Sequence, residues 1–287
     1  MADERQEQLR AYVEYFRDMG VHDFYRVGEV VEGAVYADIA AAVLDAPAAA
    51  AVASEMVATP VVSPEIVKPG LLEPAVAKLV GFDALVPLPE MRVADAGKAG
   101  ALQAIRDEIG DCTRCPLAYA GRRKIVFGDG NAKARLMFVG EGPGADEDET
   151  GIPFVGKAGQ LLNNMIGAMG LKREEVYIAN IVKCRPPGNR VPEPVEANTC
   201  TQFLVRQMDV VQPEVVVALG ATAAMYLLGV KQSLGGLRGR WHTCRGAKLV
   251  VTYHPAFLLR DPRQKGEAWK DLQMVMAEMG LKAPAKG

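Results

Sequence analysis

With 287 residues, 49% of them apolar, the chain has enough material for an ordinary core, which sets it apart from small secreted chains framed by disulfides. No run of 18 apolar residues is free of both charge and proline; the Ala-rich stretch from Ala34 to Ala53 carries Asp38, Asp45 and Pro47, so a membrane span is excluded. The formal net charge of -2 hides an asymmetry: residues 1–98 hold 8 Lys+Arg against 16 Asp+Glu, leaving 25 against 19 of the total 33 and 35 for the remainder. An acidic front thus precedes a basic body, a modest excess compatible with a polyanionic partner.

Leu9, Tyr12, Val13, Phe16 and Met19 fall at helical spacing, which predicts an amphipathic helix over residues 3–19, stopped at Gly20, within an N-terminal region spanning 1–38. Packing on its own protein is the simpler use of such a helix; an unidentified protein partner is the other. Residues 39–94 turn to Ala, Val and Pro and read as a flexible linker, relieved by one short apolar segment from Leu71 to Val86. The charged start, Met-Ala-Asp-Glu-Arg, is no signal peptide and points to the reducing cytoplasm.

The body is expected over 95–287. A helix through Leu102, Ile105 and Ile109 ends at Gly110, and four short apolar runs then read as buried strands: Arg135 to Gly140, Val176 to Val182, Val215 to Leu219 and Lys248 to Tyr253. Helical stretches at Gly159 to Met169, Val195 to Val211 and Ala221 to Leu228 separate them. Strands alternating with helices predict a three-layer α/β/α fold around a central, mainly parallel, four-stranded sheet.

Four of the five cysteines, Cys112, Cys115, Cys184 and Cys200, occur as one Cys-x-x-Cys pair followed by two single residues, and read as one metal site. Four thiolates suit zinc or an iron-sulfur cluster, and spacing alone leaves the two near even. In parallel sheets the working loops follow the strands' carboxyl ends. There the first strand meets Gly140-Glu-Gly-Pro-Gly144, neither a dinucleotide fingerprint nor a phosphate loop, with Glu141 inside the turn and the acidic run Asp146 to Glu149 behind it. The second carries Asn180, whose amide would be costly in an apolar strand unless paired and which suits the edge of a base. The fourth ends in His254-Pro-Ala-Phe-Leu-Leu-Arg260, where Phe257, Leu258 and Leu259 would be exposed on a loop.

Taken together and in order, these motifs, with Gly151-Ile-Pro-Phe-Val-Gly-Lys-Ala-Gly159, Asn180-Ile-Val-Lys-Cys-Arg-Pro-Pro-Gly-Asn-Arg190 and Leu237-Arg-Gly239, resemble the family 4, iron-sulfur, uracil-DNA glycosylases over roughly residues 99–280. The resemblance implies a repair enzyme, expected to be monomeric, that flips uracil out of DNA (from a U·G mispair, U·A or a single strand) and hydrolyses its glycosidic bond. It implies a 4Fe-4S cluster on Cys112, Cys115, Cys184 and Cys200, with Cys244 left as a structural residue. It gives Phe154 as the aromatic that stacks on uracil, Asn180 as the base reader, Gly142 as part of the substrate turn and Glu147 as the obstacle to a 5-methyl group. His254 would stabilise the departing uracil at O2, and Glu141 would orient water or offset the sugar cation. Lys157, Arg185, Arg190 and Arg260 would hold phosphates, and Leu258 or Leu259 would wedge into the base stack. The stretch 145–151 is acidic and lacks His, which argues against the covalent trapping of a related branch. A non-catalytic iron-sulfur DNA-binding module and a glycosylase shifted to hypoxanthine or xanthine are the competing readings.

Overall fold

The computed structural model describes residues 81–85, 88–89 and 92–284. The N-terminal helix and most of the linker expected from the sequence lie outside these residues. At its described end the linker reading is corrected: Phe82–Leu85 is a helical turn, α1, with Phe82 fully buried in the main core and the Asp83 carboxylate accepting from the Arg245 backbone N–H at 2.7 Å. A buried phenylalanine removes enough apolar surface from water to count as part of the domain. The folded body therefore starts before Ala94.

Six strands form one sheet: β1 Asp129–Gly130, β2 Leu136–Gly140, β3 Tyr177–Asn180, β4 Val215–Leu219, β5 His242–Cys244 and β6 Ala247–Thr252, in the order β1-β3-β2-β4-β6-β5. The four central strands are parallel, and two short antiparallel strands close the edges. The sequence indicated the four because each is a compact apolar run; β1 and β5, of two and three residues with exposed positions, carry no such signal. In β2, β3 and β4 every residue is buried, as expected for strands covered on both faces.

Side chains alternate between two cores with the period of a strand. Leu136 and Phe138 join Leu162 and Ile166 of α4 (Lys157–Ala168) and Leu272 and Val275 of α9 (Lys265–Met279). Met137 and Val139 join Leu102 and Ile105 of α2 (Lys98–Ile109), Phe203 and Leu204 of α5 (Pro194–Val211) and Ala223 of α6 (Ala221–Leu228). Helices thus cover both faces. α5 begins with Pro at its first position, where no N–H is needed, and the Glu196 carboxylate accepts from the Glu193 N–H at 2.8 Å. Three shorter helices complete the described chain: α3 Ala145–Thr150 after β2, α7 Leu234–Leu237 before β5, and α8 Pro255–Arg260 after β6. Among the described residues no helix is long and apolar enough to cross a membrane. Because the central strands are parallel, the segments after β2, β3 and β6 emerge at one edge.

Candidate active site

That edge holds a cavity of about 570 Å³, whose lining includes Glu141, Gly142, Glu147, Phe154, Asn180 and His254. The sequence-predicted pocket residues come together in one place. Its floor is set by a close approach: a Cβ on Gly140 would stand 2.4 Å from Asn180 Oδ1 and 2.6 Å from the Phe154 ring, so only glycine can end β2 here. Phe154 itself has a positive φ of 54°, a conformation an L-residue adopts only when its surroundings impose it. Two features do so. Gly159 of α4 lets the helix reach the Phe154 carbonyl, which a Cβ would meet at 1.9 Å, and Arg173 donates to that carbonyl oxygen at 3.0 Å and also to the Pro153 carbonyl. Arg173 was not foreseen; its motif-free position after α4 gives no sequence signal.

Asn180 is 1% exposed, and among the described residues its side-chain Oδ1 has no hydrogen-bond partner. Thr252 Oγ1, two residues before His254, is the other buried polar atom so left. An unpaired buried acceptor costs on the order of 1–3 kcal/mol. Glu147 is differently placed: Oε2 accepts from Gly144 N at 3.0 Å, and Oε1 from Val155 N at 2.9 Å and Gly156 N at 3.0 Å. Its carboxylate is a fixed brace between the turn after β2 and the loop carrying Phe154. Asp148, within the acidic run, is buried and accepts from the Arg123 and Lys124 backbone N–H groups.

His254 is the N-cap of α8, its Nδ1 accepting from Ala256 N at 3.1 Å. Burial, reinforced by the Arg260 charge and opposed by Glu147, pushes its pKa from 6.5 down to about 4. At neutral pH the imidazole is therefore uncharged, and with Nδ1 accepting, the ring proton is on Nε2. Its ring centroid lies 5.5 Å from that of Phe154, tilted by 35°. A neutral donor and an aromatic platform thus face the same space.

In a second place, Cys112, Cys115, Cys184 and Cys200 line one small cavity with Ile109, Ile125 and Phe203. Donors point at the sulfurs: Arg122 to Cys184 at 3.3 Å, Arg114 to Cys112 at 3.4 Å, and the Lys183 backbone N–H to Cys200 at 3.3 Å. Burial raises the Cys115 and Cys184 thiols and pushes Cys200 up to about 12. Among the described residues no group of His, Cys, Asp or Glu is drawn together as ligands of a single ion. Cys244 is fully buried away from this set, near the Leu227 carbonyl, consistent with a packing role.

The family model described as the Uracil DNA glycosylase superfamily matches residues 127–273, from β1 through most of α9. The chain belongs to the uracil DNA glycosylase superfamily. It is 46% identical to the type-4 uracil-DNA glycosylase of Thermotoga maritima over 164 residues, 56% of this chain and 84% of that relative. Identity to the type-4 enzyme of Pyrobaculum aerophilum is 44% over 181 residues, covering 60% of this chain and 92% of the relative. To that of Archaeoglobus fulgidus it is 40% over 194 residues, covering 64% and 96%.

Within this superfamily fold, the expected surface contacts divide. Lys157 and Arg260 are exposed at the cavity mouth, with no ion pair among the described residues. Arg190 also borders the cavity, but its guanidinium grips the buried Glu196 at 2.8 and 2.7 Å and holds that carboxyl below its ordinary range, so it braces α5 as well. Arg185 stands off the cavity and donates to Asn189 Oδ1 at 2.8 Å. The loop reading of residues 255–260 is corrected, and the choice between Leu258 and Leu259 narrows. The segment read as a loop is α8, and its helical turn buries Leu258 to 1% exposure while leaving Leu259 at 44%. Leu258 is a core residue, and Leu259 is the side chain available to a partner. Val191, 56% exposed beside the cavity, was missed because a valine between Arg190 and Pro192 carries no periodic signal.

Proposed function

We propose that the chain excises uracil from DNA by hydrolysing its glycosidic bond, with the pocket at the sheet edge as the active site. The observation that carries this reading is that Asn180, its Oδ1 unpaired among the described residues, lines that pocket together with Phe154 and His254. Uracil offers an N3–H donor beside its O4 acceptor, so one amide satisfies both: Oδ1 takes N3–H and the NH₂ reaches O4. Cytosine presents the opposite pair and would leave both sides unmatched. The extruded base stacks on Phe154, and the braced Glu147 carboxylate stands as the rigid wall against a 5-methyl group. Gly142 contributes backbone to the turn that borders the base.

As the C1′–N1 bond breaks, the electron pair goes to uracil N1 and is shared with O2, while the sugar becomes cationic. The neutral His254 donates from Nε2 to O2, stabilising charge that exists only as the bond opens. Water adds to C1′ and releases a proton, giving an abasic site and uracil. Glu141, at the mouth of the turn, orients that water or offsets the sugar charge. Lys157, Arg190 and Arg260 supply the cationic rim for phosphates, Arg185 adds a cation beyond it, and Leu259 fills the space the base leaves.

The cysteine cavity is read as the site of a 4Fe-4S cluster held by Cys112, Cys115, Cys184 and Cys200. Four thiols around one cavity, with N–H donors to three of the sulfurs, suit such a cluster. Its contribution is a covalent tie between the segment before β1, the loop after β3 and α5. The deciding experiment is a nicking assay with the full chain on duplexes carrying uracil, hypoxanthine or thymine at one position. Uracil strands should be cut after alkali and thymine strands left whole; intact uracil strands, or hypoxanthine cut faster, would overturn the reading.

A further inference from the structure

Lys183 is buried at 1% exposure, lines the cysteine cavity, and has a side chain with no part in the chemistry described above. Its ammonium donates to the Asn180 carbonyl oxygen at 3.0 Å and to Gln207 Oε1 at 2.6 Å, and among the described residues no carboxylate pairs with it. Keeping a lysine out of water with no carboxylate beside it is expensive, and the nearby Cys200 sulfur is the one group that favours its charge. Gln207 is itself fully buried on α5, and its Nε2 donates to the Phe127 carbonyl and to Tyr177 Oη, each at 3.0 Å. The ammonium thus sits in a cage anchored to α5, to the segment before β1 and to the first residue of β3.

The strand pairing explains what the cage replaces. β1 pairs only with Tyr177 and Ile178, so on that edge β3 has no strand neighbour at Asn180. The Asn180 side-chain oxygen, in turn, has no protein partner to hold it. The orientation of the amide must therefore come from the backbone beneath it and from the crowding by Gly140 and Phe154. We propose that Lys183 is a positioning residue for base recognition, gripping the Asn180 backbone from outside the pocket, in a cage closed by Gln207, so that the amide meets the uracil edge in one orientation. This rests on the reading of Asn180 as the base reader.

The test is a double-mutant cycle on single-turnover uracil excision with the full chain: wild type, Lys183→Met, Asn180→Ala and the double variant, with iron content and affinity for a duplex bearing a tetrahydrofuran abasic analogue measured on each. Lys183→Met is expected to lower the maximal excision rate by about tenfold or more, with iron content and analogue affinity unchanged, and to add less than about twofold once Asn180 is alanine. Gln207→Leu, which keeps Lys183 but opens the cage, should show the same pattern and carries the test if Lys183→Met does not fold. Losses that multiply in the double variant, or wild-type rates in folded Lys183→Met and Gln207→Leu, would overturn the proposal while leaving Asn180 as base reader. Undiminished excision by Asn180→Ala would instead remove that reading and the proposal with it.

Discussion

Asn180 and Cys200 are both buried, within a few ångströms of the same lysine, yet their surroundings treat them differently. The Asn180 amide oxygen is left without a donor among the described residues, in a residue that lines a cavity open to solvent. The Cys200 sulfur is given the Lys183 N–H and enclosed among apolar side chains. On the function proposed above, one site is completed at each turnover by a visiting base and the other is completed once and kept. Damage to the pocket should therefore appear in the chemistry with the fold intact, and damage to the cysteine cavity in iron content and stability.

The sharpest way to separate the two is Gly140→Ala, whose methyl would strike both Asn180 Oδ1 and the Phe154 ring. Displacing two pocket groups at once should cost more than the loss of a single transition-state donor, above about 10³-fold in single-turnover excision, with iron content unchanged. His254→Ala follows, with a loss on the order of 10² to 10³ in rate and little change in affinity for an abasic duplex. The pH profile tests the same residue. With a pKa held at about 4 against an ordinary 6.5, His254 stays neutral, so excision should be flat from about pH 8 to about pH 5 and fall as the imidazole charges. Stability runs the same way: above 6.5 folded and unfolded chains both hold a neutral ring, and from 6.5 down to 4 only the unfolded chain gains a proton, so the fold weakens.

Cys200→Ala should give the opposite phenotype. Bound iron is lost and the melting temperature drops, while excision at 25 °C by the folded fraction falls by about tenfold at most. A colour and iron content equal to wild type would contradict the assignment of that cavity. The smallest effect is expected at the rim. Arg260→Ala should reduce the dependence of log affinity on log salt by about one and leave the maximal rate unchanged. Arg190→Ala should also lower the melting temperature, because it leaves the Glu196 carboxylate buried without its partner.

What the sequence made legible follows from how each feature is encoded. The four central strands are compact apolar runs, and β4 and α6 fall where the periodicity places them, at Val215–Leu219 and Ala221–Leu228. Glu141, Asn180 and His254 were readable because each lies at or just after a strand end in a motif of unusual composition, whereas Phe154 and Glu147 came only from the family resemblance. Features set by tertiary geometry were not. The edge strands β1 and β5 are too short to carry a pattern, and Phe82 belongs to the core although proline-rich sequence precedes it. Leu258 and Leu259 are adjacent apolar residues, and only the helical turn begun by His254 and Pro255 decides which one faces inward. Arg173 and Lys183 act on backbone carbonyls, which no residue pattern announces.

The central claim is that one amide at the pocket floor reads the base, and single-turnover excision by Asn180→Asp on a U·G duplex tests it most directly. The substitution keeps the shape and removes the donor to O4, and it adds an acceptor where negative charge develops on the leaving uracil. The account predicts a loss of uracil excision on the order of 10² or more, with iron content and abasic-duplex affinity at wild-type levels. Near-native excision by a folded, iron-replete Asn180→Asp would contradict it.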